Sequence, residues 1–130
     1  MDNAPFDMVV KDLQGRYLMI NRGVEAAWDL DAAAILGQRL PDLSGSVGVA
    51  QVEAIEREVV DTGHVVAREV QFTDLGPEWT YEVKFPIRDA AGRIVALGGV
   101  AIDISDRKKA QLALAESEAR LRRAQQQARL

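Results

Sequence analysis

Any chemistry in this chain would rest on carboxylates, lysines, arginines, a few aromatic rings and one imidazole, because the sequence holds no cysteine and a single histidine, His64. Without a thiol there is no disulfide framework, no thiolate metal site and no thiol nucleophile. A light-driven flavin adduct, which needs a cysteine thiolate, is excluded with them. Imidazole is the usual axial donor of sensory haem sites, but His64 follows Gly63 at a strand start rather than lying within an amphipathic helix. Haem is therefore not expected, and no metal site is predicted. No Ser-His-Asp set has a sequence context and no glycine-rich phosphate loop precedes a helix, so the stretch does not read as an enzyme. Asp103 reads as a junction residue rather than a catalytic acid. Trp28, Tyr81 and Phe85 could stack on a ligand, although an ordinary core role accounts for such rings better.

The elements that would position these groups fit a single domain. The chain has 130 residues, 48% hydrophobic and 28% charged, a size and composition suited to one soluble core. Its longest apolar run, Ile94 to Ile102, is interrupted by Gly98 and Gly99 and falls well short of the roughly 18 residues of a membrane helix. Residues 1–8 show neither a basic region nor a long apolar stretch, so no secretory signal is read and a cytoplasmic location is expected. Charge is uneven: residues 1–105 carry 9 basic and 17 acidic side chains, residues 106–130 carry 7 and 3. An acidic body suits a phosphate backbone poorly, and the i, i+4 pairs Glu116–Arg120 and Glu118–Arg122 read as a solvated helix face. No nucleic-acid partner is expected.

Along the chain, Phe6 to Asp12 and Arg16 to Asn21 flank the turn residues Asp12-Leu13-Gln14-Gly15 and predict a hairpin. Asn21 is placed to cap a short helix with Val24, Ala27 and Trp28 on its core side, and Asp31 to cap a second one ending at Gly37. Leu40 to Gly48 reads as a loop. Val52, Ile55 and Val59 lie opposite Glu53, Glu56, Arg57 and Glu58, which predicts an amphipathic helix ending at Gly63. Three strands follow, Val66 to Phe72, Trp79 to Phe85 and Arg93 to Ile104, joined by Gly76-Pro77 and Asp89-Ala90-Ala91-Gly92 as an antiparallel meander. The alternation of Trp79, Tyr81, Val83 and Phe85 with Thr80, Glu82 and Lys84 predicts that the apolar set faces the core. Gly98 and Gly99 mark either a close approach by another group or room for a packed helix.

From Asp106 the pattern becomes one helix, with Ser105 as its expected N-cap. Ala110, Leu114, Ser117, Leu121, Ala124 and Ala128 form a 4-3-4-3-4 seam suited to a two-stranded coiled coil, weak because most positions are small or polar. The chain stops in this helix, so it is read as a fragment of a longer polypeptide. The expected domains are residues 1–105, a folded body, and 106–130, a linker helix.

Four strings in order resemble the PAS domain family across essentially the whole chain. Gly15-Arg16-Tyr17-Leu18-Met19-Ile20-Asn21 resembles its first hairpin, and Ile35-Leu36-Gly37 the helix ending that follows. Phe85 to Val95 resembles the hairpin between its last two strands. The most specific string, Asp103-Ile104-Ser105-Asp106-Arg107-Lys108-Lys109-Ala110, is similar to the junction that leads into the family's signalling helix. The resemblance implies an α+β fold, a five-stranded antiparallel sheet with short helices on one face and a long C-terminal helix. It also implies a homodimer formed through the sheet face and that helix, and an output such as a histidine kinase or diguanylate cyclase. A small-molecule pocket follows from it too, with candidate lining Leu18, Ile20, Trp28, Leu36, Phe72, Tyr81, Val83 and Phe85. The signal junction would be Asp103, Ile104 and Ser105. The alternative reading is a ligand-free dimerisation or coiled-coil adaptor.

Overall fold

A computed structural model of the chain describes residues 6–129; the outer ends of the two expected domains, residues 1–5 and 130, lie outside the described residues. Strands β1 (Phe6–Lys11) and β2 (Tyr17–Ile20) form the hairpin, helices α1 (Arg22–Trp28), α2 (Ala32–Ile35), α3 (Leu40–Leu43) and α4 (Gly48–Thr62) follow, and β3 (Val66–Gln71), β4 (Trp79–Arg88) and β5 (Ile94–Asp103) lead into α5 (Ser105–Ala128). The sheet is antiparallel with order β2-β1-β5-β4-β3, so the last strand lies at its centre.

Local chemistry explains most boundaries. Asn21 caps α1: its Oδ1 accepts from the backbone N–H of Val24 at 3.2 Å and of Met8 at 3.1 Å, and its Nδ2 donates to the Phe6 carbonyl at 3.1 Å. One amide thus ends the hairpin and ties α1 to β1. Asp31 occupies the N-cap of α2, yet the orphan N–H of Ala32 is taken by Glu25 Oε2 at 3.0 Å. The expected loop from Leu40 starts instead with the single turn of α3, with Pro41 in its first turn and the Asp42 carboxylate accepting from the Arg39 N–H. Proline costs nothing there because that N–H has no helical partner to lose. Gly63 closes α4 at φ 71°, a left-handed conformation that glycine adopts without a Cβ clash.

One face of the sheet is covered by the helices. Val66 and Val70 of β3 pack there with Val52, Ile55 and Val59 of α4, and Tyr17, Val24, Ile35 and Leu40 belong to the same core. The pairing of Val66 with Lys84 and of Val70 with Thr80 places the polar set of β4 on this same face. Thr80, Glu82 and Lys84 are only 4%, 7% and 4% exposed. This reverses the expected facing of β4: Tyr81, Val83 and Phe85 lie on the outer face, opposite Ile102, Val100 and Gly98 of β5. The register follows β3, whose valines must bury against α4, and a shift by one residue would turn every side chain of β4 over. The glycine pair of β5 serves both faces. A side chain on Gly98 would strike the Phe85 ring on the outer face, and one on Gly99 would strike Lys84 and Val9 on the inner face. Close approach, rather than helix packing, is what these glycines permit.

Candidate functional site

The buried polar residues of β4 belong to a charged network. Lys11, 2% exposed, sits at the end of β1, where its ammonium lies 2.7 Å from Glu56 Oε2 and 4.7 Å above the Tyr17 ring. Lys84 reaches the same Glu56 oxygen at 3.3 Å and Glu82 at 3.7 Å, and Thr80 Oγ1 donates to Glu82 at 2.6 Å. Glu56 had been placed on the solvent side of α4, but it stands four residues after Val52 and three before Val59, on the buried stripe. That spacing was the signal available in the sequence. Burial, reinforced by the neighbouring Lys84 charge, lowers the Lys11 pKa against the opposing pull of Glu56, and burial together with Glu56 and Glu82 raises that of Tyr17.

Beside this network lies a cavity of about 40 Å³, the room of about three water molecules. Sheet residues Asp7, Thr80, Glu82, Lys84 and Gly99 form its floor, and Trp28, Phe72, Leu75 and Pro77 stand among its walls. Trp28 meets Tyr17 edge to face at 5.6 Å and leaves room for Gly76 of the β3–β4 loop, whose φ is 70°. Asp7 is raised to about 7, first by burial and then by the charges of Glu82 and Asp103.

The second feature is the start of α5. Ser105, the expected N-cap, is the first residue of the helix and Ile104 stands at the N-cap; the Asp103 carboxylate, one residue earlier, accepts from the Ser105 N–H at 2.9 Å. The Ser105 hydroxyl instead accepts from the Trp79 N–H at 3.1 Å, and the Ile104 N–H donates to the Trp79 carbonyl at 3.0 Å. Arg107 and Lys108 both donate to Glu69 of β3, at 3.1 and 2.9 Å, and the Lys108 ammonium stands 4.5 Å above the Trp79 ring. The Lys108 hydrogen bond, ahead of its charge and that of Arg107, holds the Glu69 carboxyl below the usual range. Beyond this clasp no residue of α5 is buried, and Leu114 and Leu121 are about three-fifths exposed.

With this five-stranded antiparallel sheet, helices on one face and an exit helix from the central strand goes a sequence match: residues 1–109 fit a family model described as the PAS fold. The chain belongs to the PAS family. A curated relative, the methanogenesis regulatory histidine kinase FilI of Methanothrix harundinacea, is 29% identical over 115 residues, which is 88% of this chain and 13% of that kinase. The chain therefore spans a small part of that relative's length. Among solved structures, the PAS domain of a Colwellia psychrerythraea protein superposes with a TM-score of 0.68 at 21% identity, covering 81% of this chain and 91% of that one. A sensory box sensor histidine kinase from Vibrio cholerae gives 0.69 at 14% identity, covering 80% and 85%. Both share the fold of this PAS domain.

Of the candidate lining residues, the structure brings Trp28 and Phe72 to the cavity. Ile20 packs against the core on the inner face without lining the cavity. Leu18 and Leu36 are 51% and 42% exposed, and Tyr81, Val83 and Phe85 stand on the outer face, so these five do not line it. His64 is exposed beyond the end of α4. Among the described residues no group of acidic or imidazole side chains could hold a metal ion, and no helix is long and apolar enough to cross a membrane.

Proposed function

We propose that this PAS sensory domain is a dimerising relay that passes a change in its body through α5 to an effector domain of the same polypeptide, a histidine kinase or a diguanylate cyclase. The observation that carries this reading is the contrast along α5: its first turn is clasped to Trp79 and Glu69, and the remaining turns bury nothing. A 24-residue helix projects about 36 Å, and a seam from Ala110 through Leu114, Ser117, Leu121 and Ala124 to Ala128 would close on the same helix of a second copy. Movement of β5 would reach the effector as rotation or displacement of that helix.

Insertion of seven residues between Leu114 and Leu121 in the parent protein should preserve output, because the seam returns to the same phase. Insertion of three or four should lock or invert it. Output that changes smoothly with insertion length would support tethering alone. The small cavity favours a second reading, a relay whose interior is filled by its own side chains. Native mass spectrometry of the purified chain separates the two by the presence or absence of a retained small molecule.

A further inference from the structure

We propose that the interior cavity takes a small organic cation, a primary alkylammonium of about three heavy atoms, with the Asp7 carboxylate as its counter-ion. The charge count around the cavity motivates this. Of the charged residues that line it, Asp7 and Glu82 supply two carboxylates against the single ammonium of Lys84, while Lys11 and Glu56 pair with each other behind the lining. Both lysines are engaged by Glu56, and Lys84 also by Glu82; among the described residues no ion pair reaches Asp7. The site is one positive charge short, in a place where an uncompensated charge is costly to keep.

The remaining lining suits such a ligand. Trp28, Phe72 and Leu75 offer apolar surface for a short alkyl chain, an aromatic face attracts an ammonium, and the cavity's 40 Å³ matches about three heavy atoms at the volume of about three waters. Glu82 stands across the floor from Asp7 as a second acceptor, although Thr80 and Lys84 already hold it. The proton is the competing occupant. Burial and the charges of Glu82 and Asp103 move Asp7 to about 7, so at neutral pH a proton partly fills the place that an ammonium would take. The proposal rests on the sensory reading but not on how the signal leaves the domain, so its failure would leave the insertion test of α5 untouched.

Ethylammonium chloride titrated into the full chain, followed by calorimetry and by the carboxyl carbon resonance of Asp7, tests the idea. Binding should be about tenfold tighter at pH 8 than at pH 6, as the carboxylate fraction of a group titrating near 7 dictates. It should lower the midpoint of the Asp7 titration and be lost in Asp7→Asn, whose melting temperature confirms that it folds. Ethanol and acetate should not bind. Asp7 titrating near neutrality with a midpoint that ethylammonium leaves unmoved would overturn the proposal, leaving a proton-only site. Equal binding by Asp7→Asn, or equal binding of ethanol, would overturn it as well.

Discussion

Glu56 holds two buried ammonium groups with one carboxylate, and removing one partner of a buried pair is costly because the other charge stays behind. Glu56→Gln should therefore destabilise the domain by about 3 kcal/mol, read from urea unfolding. Asp7 works in the opposite direction. Its folded pKa of about 7 lies above the ordinary 3.8, so the native state holds the proton more tightly than the unfolded chain does. That contribution is complete below about pH 4 and is lost as pH rises through 7. Asp7→Asn should match the native protein in melting temperature at pH 4 and exceed it increasingly up to pH 7, with a constant gap above; a gap independent of pH would show that neither burial nor the charges of Glu82 and Asp103 raise Asp7. Neither role was legible residue by residue. The spacing of Glu56 could show that it faces inward, but not which charges it meets, because Lys11 and Lys84 come from strands far along the chain and sequence spacing does not report contacts of that range.

Secondary elements were more legible, since caps and turns are local. Asn21, Gly37, Gly63 and the Asp89–Gly92 turn stand where the chain reverses or stops, with positive φ at Gly37, Gly63 and Gly92. The start of α5 differs from the expectation for a physical reason: serine is a good cap, but the Ser105 hydroxyl is taken by the Trp79 N–H, and the Asp103 carboxylate accepts from the Ser105 N–H instead. The clasp around Glu69 is solvent-exposed, so Glu69→Gln should leave global stability nearly unchanged. Its effect should be local. Hydrogen exchange of the α5 amides at residues 108–112 should rise several-fold while the amides of β5 keep their protection. Unchanged exchange in α5 would show that the backbone bonds to Trp79 hold the helix without the ion pairs.

At the scale of the molecule, the sheet is polar on part of its helix-covered face and apolar on its open one. Met8, Val83, Phe85, Val100 and Ile102 lie on that open face, Met8 and Ile102 more than two-fifths exposed, and the proposed pairing of two copies would cover them. A charge there should split a pair of copies: Val83→Glu, together with truncation after Ser105, should give a monomer by light scattering, and each change alone a weakened dimer. A fully dimeric double variant would place the contact elsewhere. The fold class was visible from the order of elements, but the facing of β4 was not, because its apolar stripe points toward solvent in the single chain and hydrophobic pattern alone assigns such a stripe to the core. The two glycines of β5 add one more consequence. Where Lys84 presses from inside and Phe85 from outside, the wall between the cavity and the open face is bare peptide with no side-chain padding. In the relay proposed for this domain, a push on one surface at that spot would move the strand itself, the same strand that runs on into α5.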